Sequence, residues 1–270
     1  MACDAGIDCV LPLAGVTAAD AHKVAYEAVF SRSPEDLASL ALFIGGSSLP
    51  VAEATLEAIE TAFFGSMRVS VMLDCGGCNT TAAAVVAKIR AVGELTGRRA
   101  VILAGTGPVG MRTAALMARE GAEVALTSRD LRRARAACEA VCARTGQRVW
   151  PAEVSSASMI HDVLEGAEVV VSAGAPGVSL LAEAESTGSR TLHVLADVNA
   201  VPPLGIDGLD PTFAGERIGE RRLFGALAIR RLKKQVHYAC LSRLFERNDQ
   251  VLDAEQIYLI ARELESECAS

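Results

Sequence analysis

From about residue 7 the chain alternates short apolar runs with stretches whose apolar positions recur at helical spacing. In the first third, Ile7 to Leu13, Leu40 to Ile44 and Val69 to Leu73 read as strands. Thr17, with Asp20 three residues on, has the form of a capping box that opens a helix to about Phe30. A second helix takes Pro50 in its first turn and runs to Phe64, with Gly65 as its cap. A third spans Thr80 to Leu95.

Arg98 begins a second series. Strands are predicted at 99–104, 122–128, 148–154, 168–173 and 191–197, separated by helices at 108–120, about 130–144, 156–165 and 178–187. Two helices, about 223–247 and 253–267, close the chain. In the first of them Ile229, Leu232, Val236, Ala239 and Cys240 make an apolar stripe. Strand–helix alternation of this kind predicts the α/β class: a Rossmann-type, doubly wound parallel sheet plus a smaller α/β layer. The smaller domain is expected over 1–96, joined by the C-terminal helices at about 240–270, and the Rossmann domain over 97–239.

Composition narrows the partners. Aromatic residues make up only 4% of the 270, so the core rests on Ala, Val, Leu and Ile, as in proteins with buried strands. A net charge of −7 argues against nucleic acid or an anionic membrane as a partner. No apolar run approaches the roughly 20 residues that span a bilayer, and no charged-then-apolar signal peptide opens the chain. The eight scattered cysteines suit reduced thiols, and a cytoplasmic location is expected.

Gly105-Thr-Gly-Pro-Val-Gly110 follows an apolar strand and opens a helix. In that setting Gly105 permits the tight turn, Gly107 lets backbone approach a pyrophosphate, and Gly110 lets the helix pack on the sheet. The helix N-terminus offers its amides to the phosphates. At the end of the next strand, where an NAD enzyme usually places an acid, stands Leu126-Thr-Ser-Arg129, followed by Arg132 and Arg133. The Ser128 hydroxyl with the Arg129 and Arg133 guanidinium groups suits a 2′-phosphate, so NADP is the expected cofactor. Arg132 and Arg133 also fit a solvated helix face. Asp130 is placed to cap the following helix.

A proton relay is not evident. His22, His161, His193 and His237 stand in no acid–base pairing in sequence, and no Tyr is followed four residues later by Lys. A substrate that gives up hydride without a proton is favoured. Asp74-Cys-Gly-Gly-Cys-Asn-Thr-Thr81 has the Cys-x-x-Cys spacing of a redox dithiol or half a zinc site. It lies at the carboxyl end of a strand, where ligands bind in α/β layers, and no second pair has zinc-ligand spacing. Asp74, Asn79, Thr80 and Thr81 are therefore expected to serve a substrate, with the cysteines as fillers and no metal.

Several stretches together resemble the bacterial NADP-dependent methylene-tetrahydromethanopterin dehydrogenases of one-carbon metabolism. They are Leu103-Ala-Gly-Thr-Gly-Pro-Val-Gly-Met-Arg-Thr-Ala-Ala114, Asp74 with Asn79-Thr-Thr-Ala-Ala-Ala84, Ser172-Ala-Gly-Ala-Pro-Gly177, Asp197-Val-Asn-Ala-Val-Pro-Pro-Leu-Gly-Ile206 and Phe224-Gly-Ala-Leu-Ala228. Leu232-Lys233 and the run from Asp253 to Tyr258 continue it. The resemblance implies that the smaller domain binds a pterin and that no cyclohydrolase activity accompanies the hydride transfer. It also implies that Thr106, Gly107, Pro108 and Val109 hold the pyrophosphate, with Ser128 and Arg129 on the 2′-phosphate. Ala173 and Gly174 would lie against the nicotinamide ribose, and Asp197 and Asn199 would shape the nicotinamide side of the cleft. Lys233 either faces the pterin or is solvated beside Lys234. Lys233, Asn79 and Asp197 form the expected catalytic set. Methylene-tetrahydrofolate is the alternative substrate, a non-catalytic NADP-binding regulator the alternative role, and a homo-oligomer the expected assembly. The family is expected to carry a further strand and helix ahead of the point matching Met1.

Overall fold

A computed structural model of the chain describes residues 3–269. The chain divides into two compact units, one of Met1–Thr80 with Lys234–Ile260, the other of Thr81–Lys233 with Ala261–Ser270.

The first unit is built on a three-stranded parallel sheet. Its strands are β1 (Ala41–Ile44), β2 (Ser70–Leu73) and β10 (Val251–Leu252), with β2 in the middle. All four residues of β2 are buried, which is why Val71-Met-Leu73 reads as continuous rather than alternating apolar sequence, and buried Ser70 satisfies its hydroxyl by donating to the Arg247 carbonyl at 2.7 Å. Helix α1 (Ala18–Val29) packs on α2 (Leu49–Ala62). The capping pair forms as expected: the Asp20 carboxylate accepts the Thr17 backbone N–H at 3.0 Å and the Thr17 hydroxyl at 2.9 Å. Helix α3 (Cys78–Ala91) starts two residues earlier than predicted and so takes Cys78 and Asn79 into its first turn.

The strand predicted over 7–13 does not form. Val10, Leu11 and Leu13 are exposed, and the segment pairs with no strand among the described residues. Apolar residues alone do not make a strand without a partner ladder, and Pro12 removes one of the donors such a ladder needs. Conversely, β10 is too short for any periodicity to reveal it.

The second unit holds a seven-stranded sheet in the order β5-β4-β3-β6-β7-β9-β8. Strands β3 (Arg99–Leu103), β4 (Glu123–Ser128), β5 (Trp150–Glu153), β6 (Val169–Ser172) and β7 (Val194–Asp197) are parallel. Winding leaves β3 in both directions, so the order reverses between β3 and β6, the place where doubly wound sheets bind ligands. Between the strands run α4 (Pro108–Arg119), α5 (Leu131–Thr145), α6 (Ala157–Leu164) and α7 (Glu183–Gly188). One core cluster joins Val101, Leu103, Val170 and Leu195 to Ile160 and Leu164 of α6. At one margin β5 carries Pro151, tolerated because an edge strand has a side without a ladder.

The other margin differs from expectation. Strand β8 (Ala214–Ile218) turns at Gly219 into antiparallel β9 (Arg221–Phe224), which pairs parallel with β7. The helix predicted from 223 therefore begins at Ala226, as α8 (Ala226–Arg243). A register shift between Ala214 and Glu216 bends β8 at Gly215, whose φ is +110°. The helix predicted over 178–187 contracts to α7, because the preceding residues run extended and Leu181 bridges to Ile206. Helix α9 (Ala254–Ala269) ends the described chain. No helix among the described residues is long and apolar enough to cross a membrane.

Candidate active site

The glycine turn leaves β3 under tight constraint. Ala104 has φ +49°, and its N–H donates to the Thr127 hydroxyl at 3.0 Å. The Gly105 N–H donates to the Thr127 carbonyl at 3.0 Å, so a buried β4 residue that the sequence did not single out fixes the turn from below. A Cβ on Gly110 would stand 2.4 Å from Gly105 Cα, which no rotamer relieves. A Cβ on Gly107 would meet nothing within 4 Å. The turn is thus closed on its inner side and open at Gly107. Gly107 is also the N-cap of α4, and no side chain caps the helix there. Pro108 occupies the first turn, leaving the Val109 and Gly110 amides at an uncapped helix start, an arrangement suited to a phosphate. Thr106 is half-buried within the same turn.

At the end of β4, Ser128 is buried and its hydroxyl accepts the Asp130 N–H at 3.3 Å. Asp130 caps α5 as expected: its carboxylate accepts the Arg132 N–H at 2.8 Å and pairs with the Arg132 guanidinium at 3.1 Å. These bonds to Arg132 hold the Asp130 carboxyl below the usual range. Arg129 and Arg133 are exposed and form no ion pair among the described residues. The neighbouring acid is thus engaged by Arg132, and two guanidinium groups are open to an outside anion.

The ends of β6 and β7 are knit together. Ser172 and Asp197 are cross-strand partners. Asp197 is 1% exposed; its two oxygens accept the Asn199 N–H at 3.0 Å and the Ile206 N–H at 3.1 Å. The Asn199 amide donates to the Gly174 carbonyl at 2.8 Å, joining the loops after both strands. A Cβ on Gly205 would fall 1.9 Å from Ser172 Oγ and 2.9 Å from Asp197 Oδ1, so the loop can cover this carboxylate only with glycine there. Burial pushes the Asp197 carboxyl up, against the opposing pull of those backbone donors. Ala173 and Gly174 are half-buried beside this loop.

In the first unit the Asp74 loop is a buried polar cluster. Asp74 Oδ1 accepts the N–H groups of Asn79 and Thr80 at 3.0 and 3.1 Å, and Oδ2 accepts the Thr80 hydroxyl at 2.7 Å. The Asn79 amide donates inward, to the Leu73 carbonyl at 2.7 Å and to Asp253 at 2.8 Å. Cys75 donates to the Gly46 carbonyl at 3.2 Å, and Cys75 and Cys78 are buried and not joined in a disulfide. Among the described residues no group of three or more His, Cys, Asp or Glu is arranged to hold a metal. Thr81 and Lys233 are both half-buried and belong to the second unit; Lys233 makes no ion pair among the described residues.

One residue adds to the sequence reading. His237, which stands in no acid–base pairing along the sequence, has Nδ1 3.7 Å from Asp74 Oδ2 in the fold. Its ring meets that of Phe43 edge-on, with centroids 5.9 Å apart. No local spacing reveals this pair, since α8 and the Asp74 loop are distant in sequence. Asp253 likewise emerges as the buried partner of Asn79.

Residues 1–76 match the family model described as methylene-tetrahydromethanopterin dehydrogenase, N-terminal. Two proteins of Methylorubrum extorquens are similar over nearly the whole chain. One, named bifunctional protein MdtA, is 43% identical over 263 residues, covering 97% of this chain and 91% of that protein. The other, named NAD(P)-dependent methylenetetrahydromethanopterin dehydrogenase, is 31% identical over 278 residues, covering 98% and 92%. Among solved structures, ligand-free 5-ketofructose reductase of a Gluconobacter strain matches with a TM-score of 0.41 and 18% identity, over 68% of this chain and 63% of that one.

Proposed function

The chain belongs to the methylene-tetrahydromethanopterin dehydrogenase family, and from that premise we propose that it moves a hydride from the methylene bridge of methylene-tetrahydromethanopterin to NADP. The product is the methenyl form of the carrier. The observation that carries the cofactor half is the Gly105–Gly110 turn, open at Gly107 and leading to an uncapped helix, with Arg129 lacking an internal counter-ion.

NADP supplies the hydride-accepting nicotinamide. The backbone from Thr106 to Gly110 holds the pyrophosphate, and Ser128, Arg129 and Arg133 hold the 2′-phosphate. Ala173 and Gly174 lie along the ribose, with Asn199 fixing the Gly174 carbonyl. Asp197 acts through its loop, as a positioning residue for Asn199. The first unit binds the carrier, with Asp74, Asn79 and Thr80 setting the shape of its loop, and the family resemblance assigns Thr81 and Lys233 to the carrier as well.

The reacting carbon bridges two nitrogens, so loss of hydride leaves a cation spread over both and no proton moves in that step. The protein's task is alignment and exclusion of water. Cyclohydrolase activity is not part of this reading, which also includes a cytoplasmic homo-oligomer on the strength of the family resemblance. The test is NADPH formation, followed by absorbance, with methylene-tetrahydromethanopterin and methylene-tetrahydrofolate side by side. Turnover of the former supports the reading. Tight NADP binding without turnover of either carrier overturns it in favour of a regulator.

A further inference from the structure

We propose that His237 contacts the one-carbon carrier and that Asp74 is the residue that positions it, an inference that rests on the dehydrogenase reading above. The two groups meet at the carboxyl ends of β1 and β2, the side of a parallel sheet on which ligands bind.

Asp74 is poorly placed to serve a ligand itself. It is buried, and the Asn79 and Thr80 N–H groups and the Thr80 hydroxyl already occupy its oxygens and fix its plane. What that fixed carboxylate faces is an imidazole. A carboxylate beside Nδ1 favours the tautomer with hydrogen on that nitrogen, which makes Nε2 the acceptor. His237 has no other hydrogen bond, ion pair or ring contact among the described residues beyond Asp74 and Phe43, so Nε2 is left for an outside partner. The side chain keeps 13% of its surface exposed, and Phe43 beside it is half exposed, an apolar face next to an oriented acceptor.

That combination suits a flat heterocycle edged with amino and ring N–H groups, which a reduced pterin is. The Asp74–Thr80 cluster then has a purpose beyond stability: it holds one ring in one orientation. Because the hydride step needs no base, His237 acts in binding, and its loss falls on KM for the carrier rather than on kcat.

The experiment compares wild type with His237→Ala, His237→Gln and Asp74→Asn, measuring kcat and KM for the carrier and for NADP, with melting temperature as the control for folding. A single buried hydrogen bond of about 1.4 kcal/mol corresponds to about tenfold, so His237→Ala raises the carrier KM about tenfold or more, with kcat and the NADP KM within about twofold. Glutamine, whose amide oxygen can reach the Nε2 position, recovers most of the loss. Asp74→Asn raises the carrier KM with the same selectivity. An unchanged carrier KM in active His237→Ala overturns this proposal alone. So does a rise of both KM values together with a lowered melting temperature in every variant, which marks a purely structural role. Wild type that turns over neither carrier overturns the dehydrogenase reading and this inference with it.

Discussion

The Asn79 amide donates to the Asp253 carboxylate at 2.8 Å and to the Leu73 carbonyl at 2.7 Å. A single fully buried side chain thereby ties the end of β2 and the start of α3 to the turn that opens α9. Replacing it with alanine removes both bonds and leaves the Leu73 carbonyl without this donor. A loss of about 2–3 kcal/mol is expected for Asn79→Ala, read from the midpoint of urea unfolding. A midpoint equal to that of wild type would contradict the role described.

Gly110 has no room for a methyl group, since its Cβ would overlap Gly105 backbone. Gly110→Ala must therefore displace the turn that presents the Thr106–Gly110 amides. NADP affinity should fall by about a hundredfold, roughly the loss of two phosphate hydrogen bonds, as followed by NADPH fluorescence titration. Binding within threefold of wild type would show that the turn is not the pyrophosphate site.

Arg129 is the expected reader of the 2′-phosphate, and Asp130 is already engaged in capping α5. For Arg129→Ala, NADP binding weakens about tenfold or more while NAD binding changes by no more than about threefold. Parallel loss of both cofactors would mean that the guanidinium supports the fold rather than discriminating between them.

Burial holds the Asp197 carboxyl above its ordinary range. A folded-state value above the unfolded one means that the folded protein takes up the proton more readily. Stability from this group is complete below the unfolded value and is lost as pH rises through the folded one. Wild type should therefore gain on Asp197→Asn as pH falls through the acid range, with a constant gap above it. Chemical unfolding of both proteins across that range checks this, and a flat difference throughout would refute it.

Local features were legible in the sequence. The glycine turn, the Thr17–Asp20 cap and the Asp130 cap involve neighbours along the chain, where residue type and spacing carry the geometry. The direction of a buried polar side chain is set by whatever lies opposite, and spacing is silent on that. Asn79 opens the helix after β2 and Asp197 ends β7, both places where ligand-binding residues stand, yet Asn79 turns toward Asp253 and Asp197 toward the Ile206 N–H. The approach of His237 to Asp74 escapes the sequence for the same reason. Ile7 to Leu13 errs the other way: its apolar pattern is real, but a pattern does not supply a neighbouring strand.

Both margins of the seven-stranded sheet are blunted, by Pro151 in β5 and by the bend at Gly215 followed by exposed Glu216 and Arg217 in β8. An edge of that kind is a poor template for a foreign strand. Edge-to-edge joining of two such sheets is disfavoured at both rims, which lowers the risk of ordered aggregation starting there.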